Sequence, residues 1–187
     1  MEKIRIGIYG YGNLGKGVEI AVKSNPDMEL KGIFTRRDPS SLKTVYSDSP
    51  VFNVVDAPKM KEEIDVMILC GGSATDLPVQ GPEVCSMFNT VDSFDTHAKV
   101  PEYFASMDEA AKKANTLALI SCGWDPGLFS VNRALFDAIL PNGENYVFYG
   151  RGLSQGHSDA IRRLNGVKNA VQYTVPYDEA VRKVRNG

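Results

Sequence analysis

The sequence has few cysteines and few histidines, and both shortages limit the chemistry open to it. Its three cysteines, Cys70, Cys85 and Cys122, lie far apart. A disulfide framework or a zinc site would need closer pairs, so we expect reduced thiols in a cytosolic protein. The two histidines, His97 and His157, have no ligand spacing around them. No metal site is therefore predicted.

The sequence also lacks an excess of charge of one sign and any long apolar run. Its 21 basic and 23 acidic residues give a formal net charge of -2, and no basic block occurs. This balance predicts no binding to nucleic acid or to an anionic membrane. No apolar run could span a bilayer, and the first residues, MEKIRIGIYG, form a strand pattern instead of an apolar signal region. We therefore expect a cytoplasmic protein.

Strand-like and helix-like segments alternate over the first two-thirds of the chain. Strand patterns cover residues 4–9, 28–34, 51–55, 65–70, 89–94 and 116–121. Helical patterns cover residues 14–23, 77–88 and 100–115, and a short charged helix is expected after residue 55. The alternation predicts a parallel sheet with right-handed crossovers. The apolar runs at 65–70 and 116–121 are typical of strands buried on both faces.

The pattern changes after residue 122. A turn at GWDPG precedes a helical pattern at 128–140, and strand patterns follow at 145–150 and 170–175. The segment between them, 151–159, is predicted as a glycine-rich loop, and a short charged helix is expected near the C-terminus. We therefore predict a dinucleotide-binding domain over residues 1–122, of the Rossmann-type, doubly wound α/β fold. Residues 123–187 are predicted to begin a second, mixed α/β domain.

The first strand is followed by the run Gly10, Tyr11, Gly12, Asn13, Leu14 and Gly15. This run fits the dinucleotide fingerprint Gly-x-Gly-x-x-Gly between a strand and a helix. The first glycine allows a tight turn, the second lets the backbone approach a pyrophosphate, and the third lets the helix pack closely on the strand. The helix N-terminus then supplies N–H donors and partial positive charge. The alternative is a glycine-rich surface turn.

The end of the second strand carries Thr35, Arg36 and Arg37. An NAD site usually places an acidic residue here to bind the ribose hydroxyls, and that residue is missing. Asp38 follows, but beyond the strand end. Two guanidinium groups and a hydroxyl would attract the 2′-phosphate of NADP. The alternative is a solvated arginine pair.

The fourth strand ends in Cys70, Gly71, Gly72 and Ser73. Small residues at the carboxyl end of a parallel strand would let the nicotinamide ribose approach the backbone. In the alternative interpretation Ser73 caps a helix and Asp76 completes the capping box. Cys70 is interpreted as a small buried residue, since no basic partner that would activate its thiol stands nearby.

Acidic residues follow the fifth and sixth strands. Asp92 and Asp95 end the fifth strand, and Asp125 follows the sixth. Because the carboxyl ends of parallel strands share one edge of the sheet, these carboxylates could converge. Beside a nicotinamide they would orient an ammonium group, and one could take its proton as hydride leaves the adjoining carbon. The alternative for each is an ordinary helix cap.

Six segments, in their order and spacing, resemble the meso-diaminopimelate D-dehydrogenase family. They are IRIGIYGYGNLGKGVE, GIFTRRD, CGGSATD, TVDSFDTH, SCGWDPGLFSVNR and GLSQGHSDAIRR. The resemblance implies an NADP-dependent enzyme of lysine biosynthesis that acts reversibly on meso-2,6-diaminoheptanedioate. Oxidative deamination of its D-centre gives L-2-amino-6-oxoheptanedioate, ammonia and NADPH. It also implies a homodimer with a longer chain, whose last part completes both the substrate site and the cofactor domain, so that residues 123–187 would be an incomplete substrate-binding and dimerisation domain.

The resemblance also implies roles for individual residues. They add to the catalytic role that the converging carboxylates already suggest for Asp95 and Asp125. The cofactor would contact Tyr11 to Leu14, Thr35 to Arg37, Cys70 to Ser73, Ser93, Phe94, Asp95, Cys122, Gly123, Trp124, Asp125 and Pro126. The substrate would contact Asp95, Asp125, Tyr149, Gln155, Gly156 and Thr174. We add Asp92 to this set because it ends the fifth strand, at the same edge of the sheet as Asp95 and Asp125.

Two other interpretations remain open from the residues. One is another two-domain NADP reductase, such as a sugar oxidoreductase or a dihydrodipicolinate-type reductase. The Glu-Lys-Pro signature of the sugar enzymes and the paired histidines of the dihydrodipicolinate type do not occur. The other is a non-catalytic module that senses NADP, which would need neither the acidic residues nor the GLSQGHSDA segment.

Overall fold

A computed structural model describes residues 2–144 and 150–186 of the chain. Contacts divide the chain into two compact units, Met1–Asn132 and Arg133–Gly187. The division falls inside the helix Leu128–Ile139, beyond the expected boundary at residue 122. Hydrogen bonds from Leu128 N to Gly123 O and from Phe129 N to Trp124 O tie the start of that helix to the preceding turn. The first turn of the helix therefore belongs to the first unit.

A six-stranded parallel sheet forms the first unit, in the order β3-β2-β1-β4-β5-β6. The strands are β1 (Ile4–Tyr9), β2 (Met28–Thr35), β3 (Val51–Asn53), β4 (Val66–Leu69), β5 (Asn89–Asp92) and β6 (Ala118–Leu119). The chain moves outward from β1 on one side to β3 and on the other to β6. The carboxyl end of β1 is therefore the switch point at which open α/β sheets bind ligands. The predicted Rossmann-type, doubly wound fold is confirmed.

The crossovers are made by α1 (Asn13–Ser24), α2 (Leu77–Cys85) and α3 (Val100–Ala114). Two features of the sequence set the limits of α3. Pro101 lies in its first turn, where its missing N–H costs nothing, and Asn115 ends it in the left-handed conformation. The charged helix expected after residue 55 is instead the 3-10 helix Val54–Met60, because Pro58 interrupts the hydrogen bonding of an α-helix.

Apolar residues pack on both faces of the sheet. Ile8 and Ile33 form the core of one face, with Val18 of α1 packed against them. Their chain neighbours Tyr9 and Phe34 point to the other face and join the larger core cluster, which includes residues of α2 and α3. The alternation along β1 and β2 explains why both strands are apolar throughout: each face is covered by helices.

The prediction of a buried strand at residues 116–121 is wrong. The strand β6 has two residues, and it pairs only with β5 in the part of the chain that the structure describes. Leu117 and Leu119 are 75% and 57% exposed. Ala118 and Ile120 pack against the larger core cluster, whereas Leu117 and Leu119 point to the opposite face, so the strand is buried on one face only.

In the second unit, the prediction of a loop at residues 151–159 is also wrong. β7 (Gly152–Ser154) pairs antiparallel with β8 (Gln172–Thr174), and α5 (Gln155–Arg162) begins directly after β7. The Ser158 hydroxyl joins these elements, since it donates to Ser154 O and accepts from Gln172 N. Pairing of residues 152–154 with the distant strand β8 thus formed a strand where the local glycines had predicted a loop.

The remaining helices of the described chain are α4 (Leu128–Ile139) and α6 (Asp178–Asn186). The strand predicted at 145–150 falls almost entirely on residues 145–149, outside the described residues. Among the described residues, no helix combines the length and the apolar character needed to cross a membrane.

Candidate functional site

A cleft of about 370 Å³ opens at the carboxyl ends of β1, β2 and β4. Three segments that the sequence singled out converge on it: the glycine loop, the arginine pair and the small residues after β4. The lining residues are Tyr9, Gly10, Tyr11, Gly12, Phe34, Thr35, Arg36, Arg37, Val54, Cys70, Gly71, Gly72, Asp76 and Gln80.

The glycine loop has the backbone geometry that the fingerprint requires. Gly10 has φ +94°, a conformation that residues with a side chain rarely adopt. A Cβ on Gly15 would lie 2.6 Å from the carbonyl oxygen of Gly10, so only glycine lets α1 pack this closely on the loop. A Cβ on Gly12 would meet nothing within 4 Å. The loop therefore leaves open space above Gly12, directly before α1 begins at Asn13.

Replacing Gly15 and Gly17 with alanine should change stability in opposite directions. Gly15→Ala places its Cβ against backbone, which cannot move aside, and should destabilise the protein by about 1–3 kcal/mol. Gly17 also lies in α1, but a Cβ there would meet nothing within 4 Å. Gly17→Ala should therefore stabilise it by about 0.5–1 kcal/mol. Chemical unfolding of both variants checks this, and equal effects would contradict the close packing at Gly15.

Tyr11, in the glycine loop, is hydrogen-bonded through both its side chain and its backbone. Its phenol is buried and donates a hydrogen bond to the Glu19 carboxylate of α1, and Val45 N donates to the phenolic oxygen over 2.9 Å. Its backbone carbonyl accepts a hydrogen bond from the Arg37 guanidinium at 2.5 Å. Burial, with the bond to Glu19, raises the pKa of Tyr11 to about 12, so the phenol stays protonated as a donor. The loop is therefore preorganised.

Glu19 is fully buried and accepts hydrogen bonds from several groups. Ser49 Oγ donates at 2.6 Å, and the backbone N–H groups of Val45 and Tyr46 donate at 3.0 and 3.2 Å. Burial raises the pKa of Glu19, but these bonds and the bond from Tyr11 outweigh it, and the pKa lies below its usual value. A buried carboxylate is thus kept ionised by donors rather than by a cation.

The Glu19 carboxylate should make stability depend on pH. Because its folded pKa lies below the unfolded value of about 4.3, its contribution is present above that value and lost as the pH falls through the folded pKa. Glu19→Gln should therefore lower stability at neutral pH and flatten its dependence on pH below about pH 5. Unfolding midpoints of both proteins across this range would test it. Parallel curves would show that Glu19 is not ionised.

The arginines at the end of β2 both face the cleft, but they make different contacts. Arg36 forms an ion pair with Asp76 at 3.0 Å, and its side chain remains 67% exposed. Arg37 contacts the Tyr11 carbonyl, as described above, and its own N–H donates to Thr35 Oγ1 at 3.1 Å. The Asp38 carboxylate accepts from the N–H and the hydroxyl of Ser40, which directs it to the 3-10 helix Pro39–Ser41.

The segment after β4 approaches the segment after β5. Ser73 Oγ accepts a hydrogen bond from Asp95 N at 3.1 Å. Ser73 does not cap α2: the N-cap is Asp76, whose carboxylate instead accepts from Gly72 N at 3.0 Å. Burial raises the pKa of Cys70 to about 12, so its thiol is protonated and a poor nucleophile, as the sequence indicated.

Asp95 and Asp125 lie on loops of the first unit, after β5 and in the turn that precedes α4. Asp95 is exposed, and none of the described residues donates a hydrogen bond to its carboxylate. It does not cap the 3-10 helix His97–Lys99, whose N-cap is Thr96. The Asp125 carboxylate accepts from Ser130 Oγ at 2.6 Å, inside the first turn of α4. This bond joins two side chains, so it is not itself a cap of a backbone N–H group.

Asp92 differs from these two residues because it is buried, with 2% exposure. Its carboxylate accepts hydrogen bonds from Phe94 N, Ser121 N and the Tyr103 hydroxyl. The Asp92 carboxylate, which the sequence predicted as a substrate contact, is therefore hydrogen-bonded to donors of the protein itself. No local signal revealed this, because Tyr103 and Ser121 are distant from Asp92 in sequence.

Residues predicted in the second unit are only partly described. Tyr149 lies outside the described residues. Gln155 and Gly156 form the first turn of α5. Thr174 is the last residue of β8, where it pairs with Gly152. Sequence reasoning named Asp76 only as part of a possible capping box, and it did not single out Glu19 or Tyr103, whose hydrogen-bond partners lie 8 to 30 residues away in the chain.

Comparison with known proteins shows which proteins the chain resembles. Residues 123–187 match the family model described as the diaminopimelic acid dehydrogenase C-terminal domain. The whole chain is 63% identical over 187 residues to the meso-diaminopimelate D-dehydrogenase of Lysinibacillus sphaericus, and it covers 57% of that protein.

Solved structures agree with the sequence match. The C. glutamicum DAP dehydrogenase in complex with DAP aligns with a TM-score of 0.81 and 48% identity, over 100% of this chain and 57% of that one. An engineered D-amino acid dehydrogenase bound to NADP+ aligns with a TM-score of 0.79 and 46% identity, over 99% of this chain and 56% of that one. The chain spans about 57% of the length of the curated relative it matches. In sequence and in fold, the chain is similar to meso-diaminopimelate D-dehydrogenases over the part of those proteins that it spans.

Proposed function

We propose that this protein is an NADP-dependent amino-acid dehydrogenase acting on the D-centre of meso-2,6-diaminoheptanedioate. The observation that carries the proposal is the match, at 63% identity over all 187 residues, to an enzyme named for this reaction. The products are L-2-amino-6-oxoheptanedioate, ammonia and NADPH. In the reverse direction the reaction would serve lysine biosynthesis.

The residues of the cleft fit NADP. Open space above Gly12 and the N-terminus of α1 suit a pyrophosphate, and Arg36 and Arg37 suit a 2′-phosphate. Bound NADP would supply a nicotinamide ring that accepts hydride from the substrate carbon. We propose that the segments after β4, β5 and β6 hold the nicotinamide half. These segments are Cys70 to Ser73, Ser93 to Asp95 and Cys122 to Pro126.

Asp95 and Asp125 are proposed to orient the substrate and to take its proton. The D-centre carries an ammonium group, which must lose one proton so that the nitrogen lone pair can form the carbon–nitrogen double bond as hydride leaves. A carboxylate can orient the cation and take a proton. Water then adds to the imine carbon, and the carbon–nitrogen bond breaks to give the ketone and ammonia. Tyr149, Gln155, Gly156 and Thr174 are proposed to contact the rest of the substrate.

The chain divides these tasks between two parts. We propose that residues 1–122 form the cofactor-binding domain and that residues 123–187 belong to a substrate-binding and dimerisation domain. The match of the second part to the C-terminal domain model of the family supports this division. A homodimer in the cytoplasm is part of the same proposal.

Formation of NADPH tests the proposed function directly. The full-length protein, with NADP and meso-diaminopimelate, should produce NADPH, detected by absorbance. The L,L isomer is a matched control, because it lacks the D-centre and should give none. Binding of NADP without turnover of either isomer would favour a non-catalytic NADP module. Turnover of a different substrate class would favour another two-domain reductase.

A further inference from the structure

Asp92 connects the two loops that carry the proposed catalytic residues. It is the last residue of β5, and its Oδ1 accepts from Phe94 N at 2.9 Å and from Ser121 N at 3.1 Å. The backbone oxygen of Asp92 also accepts from Cys122 N at 2.7 Å. Phe94 immediately precedes Asp95. One residue therefore binds the start of the Asp95 loop and the start of the segment that leads to Asp125.

The backbone at Ser121 shows why this connection matters. Ser121 has φ +56°, in the left-handed region that a residue with a side chain enters only at a cost. Its N–H is held by Asp92, while its buried hydroxyl has no hydrogen-bond partner among the described residues. Among the described residues, the Asp92 carboxylate is thus the group that accepts the N–H of Ser121, where the chain turns after β6 in an unfavourable backbone conformation.

The other carboxylate oxygen of Asp92 is fixed by α3. The Tyr103 hydroxyl donates to Oδ2 at 2.7 Å, and the Tyr103 ring stacks on Phe94 with centroids 4.1 Å apart. Tyr103 can lie here because Gly81 of α2 has no side chain: a Cβ on Gly81 would overlap the Tyr103 hydroxyl. Burial, with the bond to Asp92, raises the pKa of Tyr103, so the phenol remains a donor.

We infer that Asp92 is a positioning residue for the proposed reaction: it holds the loops of Asp95 and Asp125 in place and does not bind the substrate itself. The inference rests on the proposed function. It follows from geometry, since a carboxylate that is 2% exposed and accepts three hydrogen bonds from its own chain has little capacity for a ligand.

Two substitutions at Asp92 separate the roles, measured in the full-length protein with NADP and meso-diaminopimelate. Asp92→Asn removes the charge but keeps an oxygen for the two N–H groups, and its amide can donate to the Tyr103 oxygen. We expect it to retain at least about a tenth of kcat, because at most one bond of modest strength is weakened. Asp92→Ala removes every side-chain contact and should lower kcat by about a hundredfold through misplacement of the loops.

The comparison with Asp95→Asn decides the outcome. A fall in kcat for Asp92→Asn as large as that for Asp95→Asn would overturn the inference, because charge would then be the property required at both positions. If Asp92→Ala does not fold, Tyr103→Phe replaces it. Tyr103→Phe removes only the contact from α3 and should lower kcat while leaving the Kd of NADP unchanged; an unchanged kcat would count against the inference.

Amide hydrogen exchange provides a readout that does not need turnover. Peptides covering residues 93–97 and 121–127 should exchange faster in Asp92→Ala than in Asp92→Asn or the unaltered protein, while peptides of α1 stay unchanged. Unchanged exchange in both loops would overturn the inference. If the unaltered protein forms no NADPH, the proposed function fails, and the exchange result alone then decides whether Asp92 orders the two loops.

Discussion

Replacing Asp95 or Asp125 with asparagine is expected to lower turnover of meso-diaminopimelate by about 10²- to 10⁴-fold. Asparagine keeps the shape of the side chain but cannot take a proton or balance an ammonium charge. The Kd of NADP should change little, since the arginine pair and the glycine loop remain intact. The loss should therefore appear mainly in kcat, as for an interaction made in the transition state.

The structure makes Asp95 the sharper of these two tests. Its carboxylate is exposed and receives no hydrogen bond from the described residues, so Asp95→Asn removes charge without breaking a structural contact. The Asp125 carboxylate accepts a hydrogen bond from Ser130 Oγ, and Asp125→Asn can retain it through its amide oxygen. The thermal midpoint of Asp95→Asn should thus stay close to that of the unaltered protein.

Asp108→Asn is a matched control for these variants. Asp108 lies on α3 and pairs with Lys112 at 2.7 Å across one helical turn, a surface contact of small energetic value. Its replacement should leave kcat unchanged. Near-normal turnover of both Asp95→Asn and Asp125→Asn would show that these residues only shape their loops and would remove them from the proposed mechanism.

Replacing Arg36 or Arg37 with alanine is expected to weaken NADP binding by about ten- to a hundredfold. Each guanidinium can make charge-assisted hydrogen bonds to a 2′-phosphate, and losing such a partner costs about 1.5–3 kcal/mol. NAD lacks this phosphate, so its affinity should hardly change. Titration of both cofactors against each variant gives the result directly.

The two arginines should differ in a way that their contacts predict. Arg37 also donates to the Tyr11 carbonyl, so Arg37→Ala loosens the glycine loop as well as removing a phosphate ligand. Its effect on NAD should be small but measurable. Arg36 is mostly exposed and paired with Asp76, so Arg36→Ala should weaken the binding of NADP alone.

Lys113→Ala is the control for net charge, because Lys113 is an exposed cation near the end of α3. Equal weakening for NADP and NAD in both arginine variants would remove the 2′-phosphate assignment.

The order of the elements and the position of the phosphate loop were predictable from the sequence. Both depend on interactions between residues close together in the chain. Alternating apolar runs indicate buried parallel strands, and a Gly-x-Gly-x-x-Gly run between strand and helix requires the turn seen at Gly10. The arginine pair was predictable because the strand before it fixes the edge of the sheet on which it lies. Local patterns also failed where a distant partner decides, as at β6 and in the segment that pairs with β8.

The sequence by itself determined that three segments would meet at the carboxyl edge of a parallel sheet, because strand direction and crossover handedness follow from the order of the elements. Only the tertiary structure decided what each polar side chain does there. Asp92 ends β5 and Asp95 lies three positions beyond it, yet Asp92 is buried among donors from α3 and the segment after β6, while Asp95 is exposed. Burial and hydrogen-bond partners depend on residues that folding brings together from distant parts of the chain. The local sequence pattern does not show which of these distant residues become neighbours.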